Sequence, residues 1–200
     1  MKNILVCGSM AIWLLLAHQV VAADGAQAPK VGKRVSLFNG KNLDGWDVLK
    51  CEAVVENGQI LLKAGNGLVQ TKKQYSDFIF EYEWKALKGK DWDSGVYFRY
   101  DSVPEKAPWP PRYQANLRQG DEGNVGGLKG ATSQGLCKDG EWNSFKLTVR
   151  GTTAEMQING KWAWKATGLE GPETGFISLQ AEVPNGGQNL FRKIYITELK

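Results

Sequence analysis

Short segments of alternating apolar and polar residues, separated by turn residues, limit the folds that this sequence can adopt. Two of them, VVENGQILL at 54–62 and MQINGKWAW at 156–164, hold an Asn-Gly pair between apolar runs, the strongest local signal for a β-hairpin. Further alternating segments lie at 78–85, 95–100, 113–118, 143–150, 175–182 and 190–199. No stretch shows sustained helical periodicity. The sequence therefore predicts an all-β chain folded as an antiparallel β-sandwich or jelly roll.

The N-terminal residues predict a signal peptide. Lys2 precedes an apolar run at 4–17, and Val20 and Ala22 occupy the small-residue positions of a cleavage site. The run is shorter than the roughly 20 residues that a membrane-spanning helix needs. We therefore expect a signal peptide at 1–23, a linker at 24–34 and a β-sandwich domain at 35–200. The mature chain would be periplasmic or secreted, with no membrane contact after cleavage.

Composition excludes several classes of function. The chain has 200 residues, 42% of them hydrophobic, and its net charge of +4 is not concentrated in a basic run, so nucleic acid is not an expected partner. The single histidine, His18, lies in the predicted leader, which excludes Ser-His-Asp and Cys-His catalysis and most catalytic zinc sites from the mature chain. No cofactor or dedicated metal motif is expected, and a divalent cation such as Ca²⁺ stays open. Cys51 and Cys137 are candidates for a disulfide bond after export.

Four of the predicted strands pair an apolar face with a strongly polar one. Residues 96, 98 and 100 of DSGVYFRY are expected in the core, which leaves Tyr97 and Arg99 on the other face. The polar set comprises Glu81, Glu83, Tyr97, Arg99, Gln114, Asn116, Gln180 and Glu182. Carboxylate, amide and guanidinium groups suit the vicinal hydroxyls of a sugar. An ordinary solvated outer face is the alternative explanation.

Tryptophans add to the case for a sugar ligand. Trp92 and Trp109 are predicted to lie in loops, where an indole can stack on the apolar face of a sugar ring. The tryptophans expected in the core are Trp46, Trp84 and at least one of Trp162 and Trp164.

Several motifs occur in an order that resembles one known family. They are LFNGKNLDGW at 37–46, DSGVYFR at 93–99, GEWNSFKLTVRG at 140–151, ING at 158–160, and GFISLQAE at 175–182 followed by FRKIYITEL at 191–199. Together they resemble the 3-keto-disaccharide hydrolase family over residues 35–200. The resemblance implies a concanavalin-like or laminin-G-like β-sandwich, export, and action on glycosides already oxidised at C3 of the sugar.

The chemistry that the resemblance implies is an elimination. A ketone at C3 acidifies the C2 proton, so a base can remove it, the C1 substituent then leaves, and water adds afterwards. The reaction needs a base, a group that stabilises the enolate and an acid for the leaving group. Glu182 stands where family members often carry an acid or a histidine, Arg99 is retained, and Asp93 replaces the usual Asn. Gln114 replaces a Glu and cannot act as a base, so either the base is Glu182, Glu83 or Glu81 or the chain is inactive.

Three functions therefore stay open. The first is a hydrolase or lyase acting on 3-keto-glycosides, and the second is a non-catalytic carbohydrate-binding protein that uses the same face. The third is an ordinary retaining glycosidase, because Glu81 and Glu83 lie about 6.5 Å apart along a strand, near the ~5–5.5 Å that retention requires. A cross-strand salt bridge is the simpler role for these two residues. The expected partner is a carbohydrate or a 3-keto-glycoside.

Overall fold

The structure is a computed structural model that describes residues 31–200. Its strands are β1 (Val31–Ser36), β2 (Trp46–Glu56), β3 (Gln59–Thr71), β4 (Phe78–Ala86), β5 (Gly95–Tyr100), β6 (Gln114–Asn116), β7 (Asn143–Arg150), β8 (Thr153–Ile158), β9 (Lys161–Thr167), β10 (Phe176–Val183) and β11 (Asn189–Leu199). The all-β prediction is confirmed. Over residues 31–200, no helix is long and apolar enough to cross a membrane. The predicted signal peptide lies outside the described residues, and residues 31–34 of the predicted linker belong to β1.

Both Asn-Gly pairs form tight turns between paired strands. Asn57 and Gly58 connect β2 to β3, and Asn159 and Gly160 connect β8 to β9. All four residues have φ angles between +50° and +75°, as a type I′ turn requires. Asparagine and glycine tolerate this left-handed conformation better than other residues. The two predicted hairpins are therefore confirmed.

The strands form one antiparallel sheet that curls on itself. Its order is β6-β5-β10-β3-β11-β4-β7-β8-β9, with β1 beside β11 and β2 beside β3. β3 pairs with β10 through residues 65–70 and with β11 through residues 60–62, so it passes from one half of the sheet to the other. The inner faces of both halves share one core, in which Phe98 and Leu179 meet Phe80 and Leu147. The two outer faces therefore point away from each other, as in a β-sandwich.

A β-bulge at Arg99 breaks the alternation predicted for β5. Phe98 and Tyr100 pair with consecutive residues of β10, so Arg99 has no partner there, and its φ of +54° is in the left-handed region. The extra residue turns Tyr100 to the outer face, where its ring centroid lies 6.4 Å from that of Tyr97. Tyr100 is therefore buried as predicted, but in the cluster on the outer face and not on the side of Phe98.

Cys51 and Cys137 are both free thiols, so the structure does not form the disulfide that was left open for them. Cys51 lies in β2 opposite Gly65 of β3, whereas Cys137 lies in the loop before β7, against the other half of the sheet. Both thiols are half-buried against the core. Burial raises the pKa of Cys51 to about 11 and that of Cys137 to about 12. Both groups are therefore protonated and unreactive at neutral pH.

Candidate functional site

The outer face of β6, β5, β10 and β3 carries most of the predicted binding residues, and we call it the site face. Residues 177, 179 and 181 of β10 point into the core, so Gln180 and Glu182 lie on the outer face. Gly95 of β5 lies opposite Gln180, and Tyr97 lies beside Gln114 of β6. Strand register thus brings together predicted site residues from three separate motifs.

A row of side-chain amides leads to the Glu182 carboxylate. Gln114 Nε2 donates a hydrogen bond to Gln180 Oε1, and Gln180 Nε2 donates to Glu182 Oε2 at 3.1 Å. The Gln114 side chain crosses Gly95, where a Cβ would overlap it. Gln180 is only 2% exposed, so its amide is held in place. The Gln180 amide therefore directs an N–H group at Glu182. The side chain of Gln114 leaves no room for a Cβ at position 95, so that position requires glycine.

A second carboxylate, Asp93, lies near Glu182. Asp93 precedes Gly95 by two residues and Glu182 follows Gln180 by two, so both continue the register of this strand pair. Burial, followed by the charge of Asp93, raises the pKa of Glu182, and the charge of Arg118 opposes the shift. Burial, with a smaller contribution from the charge of Asp121, raises the pKa of Asp93 against the charge of Arg118 and a hydrogen bond from the Ser94 backbone. Two neighbouring carboxyl groups with raised pKa values beside a guanidinium are suited to proton transfer.

The sequence predicts no role in the site for Asp93 or Arg118, although Asp93 begins the DSGVYFR motif and Arg118 ends the alternating segment at 113–118. Arg118 lies two residues after the end of β6, whose outward residues are Gln114 and Asn116. The predicted binding residue Asn116 lies at this edge, opposite Gly95, and its Oδ1 accepts a hydrogen bond from the backbone N of Arg118 at 2.8 Å. Only the pairing of β6 with β5 reveals that Arg118 adjoins Asp93.

Tyr97 separates the carboxylates from an apolar part of the site face. Burial, followed by the charges of Asp93 and Glu182, raises the pKa of Tyr97 to about 12, so its hydroxyl stays protonated. Beyond it, Leu68 and Trp109 form an apolar cluster. Trp109, which the sequence predicts to stack on a sugar, lies half-buried against this cluster. The site face therefore presents acids at one end and aromatic rings at the other.

Arg99 leaves the site face because of the bulge. Its side chain is buried, and its Nη1 and Nε donate to the carbonyls of Gly151 at 2.7 Å and Pro172 at 3.1 Å. These carbonyls belong to the loops before β8 and β10, so the guanidinium ties together three chain segments. The prediction that Arg99 binds a sugar beside Tyr97 is therefore wrong.

The predicted stacking residue Trp92 is also unavailable to a ligand. It is 3% exposed and belongs to the main core, and its indole N–H donates to Glu122 Oε1 at 3.1 Å. Trp46, Trp84 and Trp164 lie in the core as predicted.

Glu81 and Glu83 lie on the outer face of β11, β4 and β7, which we call the opposite face. Glu81 Oε2 accepts from Arg34 Nε at 2.7 Å. The Glu83 carboxylate pairs with Arg192 Nε at 2.6 Å and with Lys193 Nζ at 2.8 Å. A shallow cleft of about 250 Å³ adjoins both glutamates. These contacts support the salt-bridge alternative and separate the two residues from Glu182.

No group of three or more His, Cys, Asp or Glu side chains in residues 31–200 is arranged to hold a metal ion. The two neighbouring carboxylates of the site face have Arg118 as their nearby cation instead.

The fold defines an antiparallel β-sandwich protein, and one of its outer faces carries a pair of neighbouring carboxylates. Residues 33–197 match the family described as the 3-keto-alpha-glucoside-1,2-lyase-like domain, and the chain belongs to that family. No match was found among curated protein sequences.

Solved structures share the fold. A candidate glycosyl hydrolase from Parabacteroides distasonis is 22% identical with a TM-score of 0.69, and the match covers 84% of this chain and 94% of that one. The carbohydrate-binding module CBM66 from Bacillus subtilis is 15% identical with a TM-score of 0.57, covering 75% and 93%. The β-glucanase of Bacillus licheniformis is 12% identical with a TM-score of 0.54, covering 84% and 98%. At these identities the likeness shows a concanavalin-like sandwich and nothing more specific.

Proposed function

We propose that this protein cleaves the glycosidic bond of 3-keto-glycosides by removing the C2 proton and eliminating the C1 substituent. The observation that carries the proposal is the Asp93 and Glu182 pair on the site face, where both carboxyl groups have raised pKa values and Arg118 is the nearby cation. Membership of a family described as 3-keto-alpha-glucoside-1,2-lyase-like supports the choice of substrate.

In the proposed reaction, Glu182 takes the C2 proton and the electrons of that bond form an enolate with the C3 carbonyl. The enolate oxygen is stabilised by Arg118 or by the Tyr97 hydroxyl. The enolate then collapses to a C1=C2 double bond, the C3 ketone re-forms, and the C1–O bond breaks. The departing oxygen takes a proton from the carboxyl pair, in which Glu182 now holds the proton removed from C2. Water then adds across the double bond, with its hydroxyl at C1 and its proton at C2.

Glu182 is the better choice of base within the pair. It accepts the hydrogen bond of Gln180, which favours the ionised carboxylate. Gln114 supports this assignment, because its amide fixes Gln180 and offers no competing acid on the same face. Glu81 and Glu83 are held by basic side chains on the opposite face.

The proposal is tested with methyl and phenyl 3-keto-glucosides, as both anomers, beside their unoxidised parents. We expect release of methanol or phenol from the 3-keto compounds alone. In D₂O the sugar product should carry deuterium at C2, because that proton is lost and replaced. Release from an unoxidised parent would indicate an ordinary glycosidase instead.

A second candidate function is non-catalytic sugar binding on the same face. It is favoured by Gln114, an amide where the family resemblance implies a glutamate. Saturable binding of a glucoside, followed by the fluorescence of Trp109, without turnover of any 3-keto compound would select this function over the first.

We further propose that the protein acts in the periplasm or outside the cell. The basis is the sequence at 1–23 alone. N-terminal sequencing of protein from a periplasmic fraction should begin near Ala23 or Asp24, and a chain beginning at Met1 would contradict export with cleavage.

A further inference from the structure

The loop at 101–113 folds over the site face and leaves a cavity of about 460 Å³ between itself and the sheet. Lys50 fixes the loop, because its Nζ donates to the backbone carbonyls of Glu105 at 2.9 Å and Ala107 at 3.0 Å. Trp109 of the loop packs against the cluster formed by Leu68, Tyr97 and Tyr100. The loop that forms one wall of the cavity is thus held by the Lys50 hydrogen bonds and by the packing of Trp109.

The cavity lies on the same face as the carboxylates, and strand register gives its distance from them. Leu68 of β3 pairs with Gln180 on one side and with Leu49 of β2 on the other, and Leu49 lines the cavity. Glu182 lies two residues further along β10, about 7 Å, and Leu49 lies two strands across, about 10 Å. Together these steps put about 12 Å between the Cα atoms of Glu182 and Leu49. A sugar ring at Glu182 would therefore place its substituent, and not the ring itself, in the cavity.

The lining favours an apolar occupant. Leu49, Val103, Pro108 and Phe176 contribute apolar surface. Four of the lining residues are polar. The Lys50 ammonium serves two carbonyls, Gln70 Oε1 accepts from the Tyr100 hydroxyl at 2.9 Å, and the Ser102 hydroxyl donates to Asp101 Oδ1 at 3.1 Å, so much of their hydrogen-bonding capacity is used within the protein. A second sugar in the cavity would bring several hydroxyl groups and find few free hydrogen-bond partners. Each hydroxyl buried without a partner would weaken binding. The volume lies in the range of small-molecule sites.

We propose that this cavity binds an apolar, ring-sized aglycone at C1 of a glycoside whose sugar lies at Asp93 and Glu182. The inference rests on the proposed function for the position of the sugar. It adds that the 101–113 loop, through Val103 and Pro108, determines which aglycones are accepted.

The test uses unoxidised phenyl and methyl glucosides, which bind without eliminating and so exclude leaving-group effects. Burial of one phenyl ring should make the dissociation constant of the phenyl glucoside roughly tenfold or more lower than that of the methyl glucoside. Val103→Asn places an amide on the cavity wall and should reduce this ratio at least threefold, while the affinity for methyl glucoside stays the same. Val35→Asn is the matched control, because Val35 is a 50% exposed valine on β1 of the other half of the sheet.

A ratio near one in the wild-type protein, or a ratio that Val103→Asn leaves unchanged, would overturn the aglycone site. A loss of methyl glucoside binding equal to the loss of phenyl glucoside binding would also overturn it, because the cavity would then hold the sugar. The proposed function is judged separately by turnover of the 3-keto compounds. Turnover with a ratio near one rejects the aglycone site alone, and no turnover with any 3-keto compound rejects the function.

Discussion

The two outer faces of the sandwich carry similar acidic strands but hold their acids in different states. On the opposite face, burial raises the pKa of Glu83, but hydrogen bonds from Lys193 and Arg192 outweigh it and the net pKa is lowered. On the site face, burial and the charge of Asp93 raise the pKa of Glu182, and only Arg118 opposes them. The neighbours on adjacent strands therefore decide the role of such a carboxylate. Basic neighbours hold it in a structural ion pair, whereas burial beside another acid makes it a candidate base.

The same contrast applies to arginine. Arg34 and Arg192 neutralise glutamates on the opposite face, and Arg34 also lies 3.5 Å from the centre of the Tyr195 ring. Arg118 is exposed and faces two carboxylates without forming a close ion pair with either. An incompletely neutralised cluster can change its protonation state during a reaction, whereas a closed ion pair resists that change.

The largest expected effect is on turnover, from Glu182→Gln. The amide keeps shape and hydrogen bonding but cannot accept the C2 proton, so turnover of a 3-keto-glucoside should fall by roughly 10²–10⁴. The wild-type rate should rise with pH as Glu182 ionises above 4.5, its ordinary pKa, and the variant should lack this dependence. Glu81→Gln is the control and should keep full activity. An equal loss in that control would move the base to the opposite face.

Arg99→Lys should lower stability and leave the reaction unchanged. Lysine has no planar fork, so the carbonyl of Gly151 or of Pro172 loses its donor. We expect a loss of about 1–2 kcal/mol in the free energy of unfolding, measured with urea. Arg150→Lys, at an exposed position in the same region, should have little effect. Weaker glucoside binding at unchanged stability would return Arg99 to the sugar site.

Glu83→Gln should reduce stability by about 1 kcal/mol at neutral pH, because one carboxylate serves two cations. The lowered pKa means that this contribution is present above pH 4.5 and is lost as pH falls through the pKa of the folded state. The melting temperatures of the wild type and the variant should therefore differ at pH 7 and be equal at pH 2. A cost that persists at pH 2 would show that the ion pairs are not its source.

The smallest expected effect is a gain in stability from Asp93→Asn. A raised carboxyl pKa means that the folded state holds its proton more tightly, so stability falls as pH rises from about 3.8 through the pKa of the folded state. At pH 7 the charge is destabilising, and the variant should melt about 1–2 °C higher because a half-exposed charge is partly screened. The gain should vanish at pH 3. A lower melting temperature at pH 7 would mean that attraction to Arg118 outweighs burial.

The alternation of apolar and polar residues predicted much of the fold, because a few neighbouring residues are enough to indicate each of these strands. Alternation located the central strands, and the Asn-Gly pairs located two hairpins with their φ angles. β1 was missed because VGKRVS is almost wholly exposed and so lacks an apolar face to give it a pattern. It is a strand because it pairs with β11, a contact between opposite ends of the domain.

The candidate site was predicted where alternation continued and missed where long-range contacts intervened. Gln180 and Glu182 follow the pattern of β10 without interruption, and they do lie together. The bulge that removed Arg99 from the face comes from the pairing of β5 with β10, which adjacent residues do not encode. Trp92 was misplaced because its partner Glu122 lies 30 residues away. Alternation also could not tell which half of the sheet would carry Glu83.

The central claim is that the two outer faces hold their acids in opposite electrostatic states, and the titration midpoints of the side-chain carboxyl groups test it directly. They can be followed by carbon-detected NMR of the Glu182 and Glu83 carboxyl signals, assigned with Glu182→Gln and Glu83→Gln. We predict that Glu182 titrates above 4.5 and Glu83 below it. A Glu83 midpoint at or above that of Glu182 would contradict the account.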